Sequence, residues 1–224
     1  MNLRVARTFV AGLMTFASAL GAMAADGVVI RIQPPSLSRK TFDPENPPPE
    51  MPKLKPTEVG TCVYAFGCTT DMEMRGSRNS PARISGIGIT TTLKITIWTP
   101  RNGPPKILEH EEGHRTICEM YYAEAEAVAR RLAQRELNRA LKYSMADEAA
   151  AQQELNAIQN RVIADFMAET ARRCDVAEAH YDEITQHSRN PISESAAILQ
   201  AVAAERNREM STPAAPSASP SGSP

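Results

Sequence analysis

Residues 109 to 115 read EHEEGHR, and within them His110, Glu111, Glu112, Gly113 and His114 have the spacing H-E-x-x-H. On a helix, residues four apart share a face. His110 and His114 can then approach one zinc ion together, while Glu111 is aimed at a zinc-bound water. Zinc makes such a water more acidic and polarises a carbonyl, and Glu111 would take the proton as general base and pass it to the leaving amine. The chemistry implied is metal-dependent peptide hydrolysis. Glu112 should point elsewhere. The plainer reading is a solvated helix face. Against it stand the strand rich in Ile and Thr just upstream, an export-type N-terminus, and the grouping of the other two histidines, His180 and His187, in one later segment.

These residues need elements to hold them. Leu93, Ile95 and Ile97 alternate with Thr92, Lys94 and Thr96, the period-two signature of a half-buried strand. Together with the segment GTCVYAFGCTTDMEMRGSRNS they predict a small antiparallel sheet, with the strand Ile84 to Thr99 offering an edge for an extended peptide. From His114 to Asn190 there is neither glycine nor proline, which is helix composition. The break at YSMADE, with Ser144 or Asp147 as N-cap, predicts a helical hairpin: Pro105 to about Tyr143, then about Asp147 to Thr185. A third helix is expected over about Ser193 to Arg208. The fold class is α+β and zincin-like, a small sheet followed by a long hairpin that carries the H-E-x-x-H site.

Folding the hairpin back about Ala146 sets residues equidistant from it against one another. Cys118 then meets Cys174, His114 meets Glu178, and His110 meets Asp182. The H-E-x-x-H end thereby faces AHYDEITQHSRN. A catalytic zinc needs a third protein ligand and one open position, and the candidates are His187, His180 and Asp182. The register places Asp182 or His180 nearest. Asp182 could instead orient a histidine, and Tyr181 could donate to an oxyanion or simply cover the helix seam. Ile117 and Met120 exclude the longer motif that continues with glycine and histidine at those positions. Glu119, Glu124, Glu126 and Glu136 read as surface charges or partners of Arg130 and Arg131.

HEEGH followed by a long charged helix and then YDEITQH resembles a bacterial family of predicted secreted zinc-dependent proteases, catalogued as a domain of unknown function. The resemblance covers roughly Val63 to Arg189. It rests on His110, Glu111, Gly113 and His114, then Tyr181, Asp182, Thr185 and His187, with Ser188 where the family has glycine. It implies a peptidase site and favours His187, the residue we expect as third zinc ligand beside His110 and His114.

The N-terminus has Arg4 and Arg7, an apolar run from Phe9 to Leu20 and an A-x-A arrangement at Ala22 and Ala24. That is the layout of a cleavable secretory signal over residues 1–24, and the run is too short to remain as a membrane anchor. Removing it takes away two arginines and lowers the formal net charge further below the −1 of the whole chain, which argues against nucleic acid as a partner. A soluble periplasmic or secreted protein follows, acting on a peptide or protein, with no stable membrane insertion. Residues 25–56 read as an N-terminal strand and a proline-rich arm, 57–209 as one metallopeptidase domain and 210–224 as a disordered tail. In an oxidising destination the four cysteines are expected to pair, Cys118 with Cys174 across the seam and Cys62 with Cys68 locally. Trp98 reads as a core or sheet-face residue. The rival readings are a non-catalytic exported helical interaction protein and a protein with a purely structural zinc site.

Overall fold

Strand β4 (Pro81–Pro100) is the axis of the protein, whose computed structural model describes residues 27–211. The expected leader, residues 1–24, and residues 212–224 of the expected tail lie outside the described residues. Alternation fixes how β4 sits. Ile87, Ile89, Leu93, Ile95 and Ile97 are buried towards the helices, while Lys94 on the opposite face is exposed. Trp98 belongs to that opposite face and is covered by Lys40, whose ammonium lies 4.7 Å from the ring centroid.

Every other strand pairs with β4. β3 (Thr61–Arg75) runs antiparallel to it, from Thr61 opposite Trp98 to Arg75 opposite Arg83. β1 (Val28–Ile32) and β2 (Ser36–Phe42) are both parallel to it, the first beginning with Val28 opposite Ile87 and the second ending with Phe42 opposite Pro100. β5 (Ala140–Ser144) meets its beginning antiparallel, with Ser144 opposite Pro81. The sheet is therefore mixed, not antiparallel as expected. The reason is that Ser36 to Phe42, inside the segment read as an arm, are extended enough to extend the sheet. A second correction follows from the same pairing. β4 is bonded on both sides and offers no edge, whereas β3 pairs with β4 alone among the described residues.

The helices cover one face of the sheet. They are α1 (Pro105–Ala123), α2 (Ala125–Glu136), α3 (Glu148–Glu169), α4 (Ala171–Thr185) and α5 (Glu194–Ser211). The expected two-helix hairpin is thus broken at Glu124, which separates α1 from α2, and cut in two further places. After α2, Asn138 takes a positive φ of 63°, a conformation that ends a helix. Backbone bonds between Asn138 and Ile84 and between Ile84 and Arg139 then draw the chain into β5. Helix propensity in NRALKYS yields to sheet pairing. The second cut is at Thr170, fully buried, whose hydroxyl donates to the Phe166 carbonyl at 2.7 Å. Between β5 and α3 both expected caps are used: the Ser144 hydroxyl accepts from the Ala146 amide and the Asp147 carboxylate from the Ala150 amide.

The end of the hairpin that matters survives these cuts. α1 and α4 pack against each other, and all three predicted pairs meet: Cys118 with Cys174, His114 with Glu178, and His110 with Asp182. The cysteine pairing does not hold as covalent bonds. Cys118 and Cys174 are buried thiols with sulphurs 3.7 Å apart, well beyond the roughly 2.05 Å of a disulfide. Cys62 and Cys68 sit on one continuous strand, where six residues separate them by about 20 Å, so neither can reach the other.

Candidate metal centre

α1 is built in two halves. Towards its C-terminus Ile117, Cys118, Tyr121 and Tyr122 are buried in the core, and on the same side one and two turns earlier lie His110, Glu111 and His114. The three motif side chains are 4%, 4% and 7% exposed. That burial excludes the solvated-face reading, because ionisable groups are rarely so enclosed without a partner.

The partners come from α4 and the turn that follows it. The Asp182 Oδ1 lies 3.3 Å from the His110 Nε2, 3.1 Å from the His114 Nε2 and 3.2 Å from the His187 Nδ1. The two Nε2 atoms of His110 and His114 are themselves 3.2 Å apart. Ligand atoms held 2.0–2.1 Å from a common tetrahedral centre are separated by about 3.3 Å. The measured separations fit that figure. Hydrogen bonds alone satisfy the arrangement poorly, since a proton on the His114 Nε2 can be directed at Asp182 or at His110 but not at both. His110, Asp182 and His187 form a group of donors that could hold a metal ion, with His114 against two of them. His180 is not in the cluster: it is half-exposed and its Nδ1 faces Glu183 at 3.4 Å.

Glu178 accepts from or shares a proton with the Nδ1 of His114 in a short contact, which turns the opposite nitrogen towards the cluster. Sequence reasoning placed Glu178 beside His114 and considered Asp182 for the orienting part; in the structure Asp182 is among the donors and Glu178 orients. His110 differs from His114, since its Nδ1 is buried with no hydrogen-bond partner among the described residues. Electrostatics follow the geometry. Burial by itself would lower the pKa of His114, but the Glu178 and Asp182 carboxylates more than offset it, and the imidazole ends well above its ordinary value. On Asp182 burial acts in the opposite direction, upwards, yet hydrogen bonds from His110 and His114 hold its carboxyl well below the usual carboxylate range.

Glu111 faces the same cleft, a cavity of ≈ 240 Å³ whose walls include Lys55, Glu58, Gly60, Glu178 and Asp182. Burial, chiefly, raises the Glu111 carboxyl to about 7, with Asp182, Glu58 and Glu178 adding to the rise and His114 opposing it. A carboxylate poised near neutrality suits proton transfer. Glu112 points away, as expected, to Arg39 and Arg115, each at 2.5 Å. The lip of the cleft is the Lys55–Glu58 turn, closed by an ion pair of 2.6 Å.

Gly113 and Tyr181 explain each other. Tyr181 is fully buried, stacks on the His110 ring at 4.9 Å, and its hydroxyl donates to Glu194 in a short bond and lies 3.2 Å from the His110 carbonyl. A Cβ on Gly113 would lie 2.0 Å from that hydroxyl. The glycine in HEEGH is therefore the seat of Tyr181. With its hydroxyl committed to Glu194, and outside the cleft lining, Tyr181 does not serve as the oxyanion donor considered from the sequence. The last donor is held by unusual backbone. Gln186, His187 and Ser188 take φ values of 49°, 52° and 69° in succession, a left-handed run that costs about 1–2 kcal/mol per non-glycine residue. Of the acids read as surface charges, Glu119 and Glu126 bind Arg115 and Arg130, and Glu124 pairs with Arg173 and Arg206. Glu136 is buried, 2% exposed, among Arg135, Arg139 and Arg161.

Comparison of the chain with protein-family models, with curated proteins and with solved structures finds no match in any of the three.

Proposed function

We propose that the chain is an exported zinc-dependent peptidase, with His110, His114 and His187 as its imidazole ligands, Asp182 among them, and Glu111 as general base. The observation that carries this reading is the convergence of three imidazole nitrogens on one carboxylate oxygen, beside a glutamate whose pKa is raised to about 7, in a cleft open to solvent. The resemblance of HEEGH and YDEITQH to the secreted protease family agrees with it.

A zinc ion bound here would supply a Lewis acid next to a carbonyl and make water more acidic. Everything else falls to the chain's own side chains. Glu178 fixes the His114 ring, and Tyr181 packs the His110 ring from behind. Glu111 receives a proton at its carboxylate and returns it to the departing amine. The outer edge of β3, which pairs with no other strand among the described residues, begins at Thr61 and Cys62, both in the cleft wall. A peptide substrate can hydrogen-bond along that edge as an added strand.

Metal analysis of the purified protein tests the reading, with one zinc per chain expected and His110→Ala removing it. One observation favours a second reading: the Asp182 Oδ1 lies within 3.3 Å of all three imidazoles as a fourth donor, and an ion that took all four would be purely structural, with no open position. Glu111→Gln separates the two. In a peptidase it abolishes hydrolysis of an unfolded protein substrate and spares zinc, whereas a structural site gives no hydrolysis in either form.

A further inference from the structure

Next to the proposed metal centre, Cys118 and Cys174 form a cluster with Glu178, and the two cysteines have no part in the function argued so far. All three are buried. The Cys174 thiol donates to the Cys118 sulphur at 3.7 Å, and the Cys118 thiol donates to the Glu178 Oε1 at 3.6 Å. The other carboxylate oxygen of Glu178 faces the His114 Nδ1. Cys118 lies one turn beyond His114 on α1, and Cys174 one turn before Glu178 on α4. The two helices that present the donors are thus joined by an unbroken chain of contacts running from thiol to thiol to carboxylate to imidazole.

We infer that Cys118 is a positioning residue for the metal centre: its thiol, backed by that of Cys174, holds the Glu178 carboxylate in the orientation that directs the His114 Nε2 at the other donors. This rests on the metal-binding reading above. A buried carboxylate with one oxygen left unbonded can rotate or shift to find another donor, and the imidazole moves with it. Residues that orient a ligand histidine alter metal affinity by about 10–100-fold. Cys118 acts one step further out, so the lower end of that range is expected. Burial also drives the Cys118 thiol far above its ordinary pKa, which keeps it a donor.

The test is zinc titration of the full metal-free protein against a competing chelating dye, with thermal melting of each form alongside. Wild type and Cys118→Ser, which keeps a donor, should bind one equivalent with similar affinity. Cys118→Ala should bind one equivalent about tenfold more weakly. Equal affinity of Cys118→Ala and wild type overturns the relay while leaving the metal centre intact. Equal weakening by Cys118→Ser and Cys118→Ala also overturns it, since packing and not the donor would then be the cause. Two equivalents in wild type, one of them lost in Cys118→Ala, would make the cysteines ligands of a second ion and overturn it as well. Absence of zinc binding by wild type refutes the metal reading and the relay together.

Discussion

Gly113→Ala is expected to destabilise the protein although it replaces glycine in the middle of a helix. In an open helix the change would stabilise by about 1 kcal/mol. Here the new methyl carbon meets the Tyr181 hydroxyl at 2.0 Å and its Cζ at 2.5 Å, against an ordinary contact of 3.4–4 Å. The tyrosine cannot swing aside cheaply, because its hydroxyl is bonded to Glu194 beside the His110 carbonyl and its ring lies on His110. Overpacking of this kind costs about 1–3 kcal/mol. With the separation short by more than an ångström, the upper end applies, and subtracting the gain in helix propensity leaves a net loss of about 2 kcal/mol. For a chain of this size that lowers Tm by about 4–8 °C. Thermal melting of metal-free wild type and variant reads the effect directly, and a zinc titration of both should show weaker binding by the variant, since His110 moves with Tyr181. A variant as stable as wild type, or more so, would show that Tyr181 is not seated against Gly113 and that α1 and α4 do not meet as described.

The other expectations concern the same centre. Ser188→Gly relieves one left-handed residue, so it should raise stability by about 0.5–1 kcal/mol, strain relief being partly offset by the flexibility of glycine in the unfolded chain; urea denaturation with no gain in midpoint would refute it. Glu111 has a folded pKa of about 7 against an ordinary 4.5, so the folded protein holds a proton that the unfolded chain has already released. Stability of the metal-free protein should therefore fall as pH rises from about 4.5 to 7, and Glu111→Gln should flatten that slope in melts taken across the range. A dication bound beside Glu111 favours the ionised carboxylate, so the acidic limb of hydrolysis should lie below the value of about 7 that Glu111 has in the metal-free protein. Zinc at a hundredfold excess over its Kd should add about 2.7 kcal/mol of stability, read as a rise in Tm that a chelator reverses and that His187→Ala diminishes.

How much of this was legible depended on the range over which each signal acts. HEEGH and HYDEITQH could be set face to face because α1 and α4 keep a regular rise per residue and lie antiparallel, so a register drawn about Ala146 placed Glu178 and Asp182 correctly. The same reading missed β5, whose residues favour helix and become a strand only because the backbone of Ile84 is waiting for partners. It also missed β2, since prolines on either side of Ser36 to Phe42 look like an arm until β4 supplies a ladder. The Cys62–Cys68 pairing failed for a simple geometric reason, the length of a continuous strand. The choice among His180, Asp182 and His187 depended on where α4 ends, and the left-handed turn from Gln186 to Ser188 that carries His187 back to the cluster has no signature in a stretch without glycine.

The two kinds of partner that β4 takes set an order for folding. β3 and β4 are joined by the short turn 76–80, whereas Val28 must find Ile87 across most of the intervening chain. Closing the longer loop costs more entropy before any contact repays it, so β1 and β2 should dock after the β3–β4 hairpin has formed. The segment carrying Lys55 and Glu58 is tethered between β2 and β3, and its own conformation is fixed only when both are in place. Pulse-labelled hydrogen exchange should find the amides of Val28–Ile32 protected later than those of Thr61–Arg75; simultaneous protection would argue against that sequence of events.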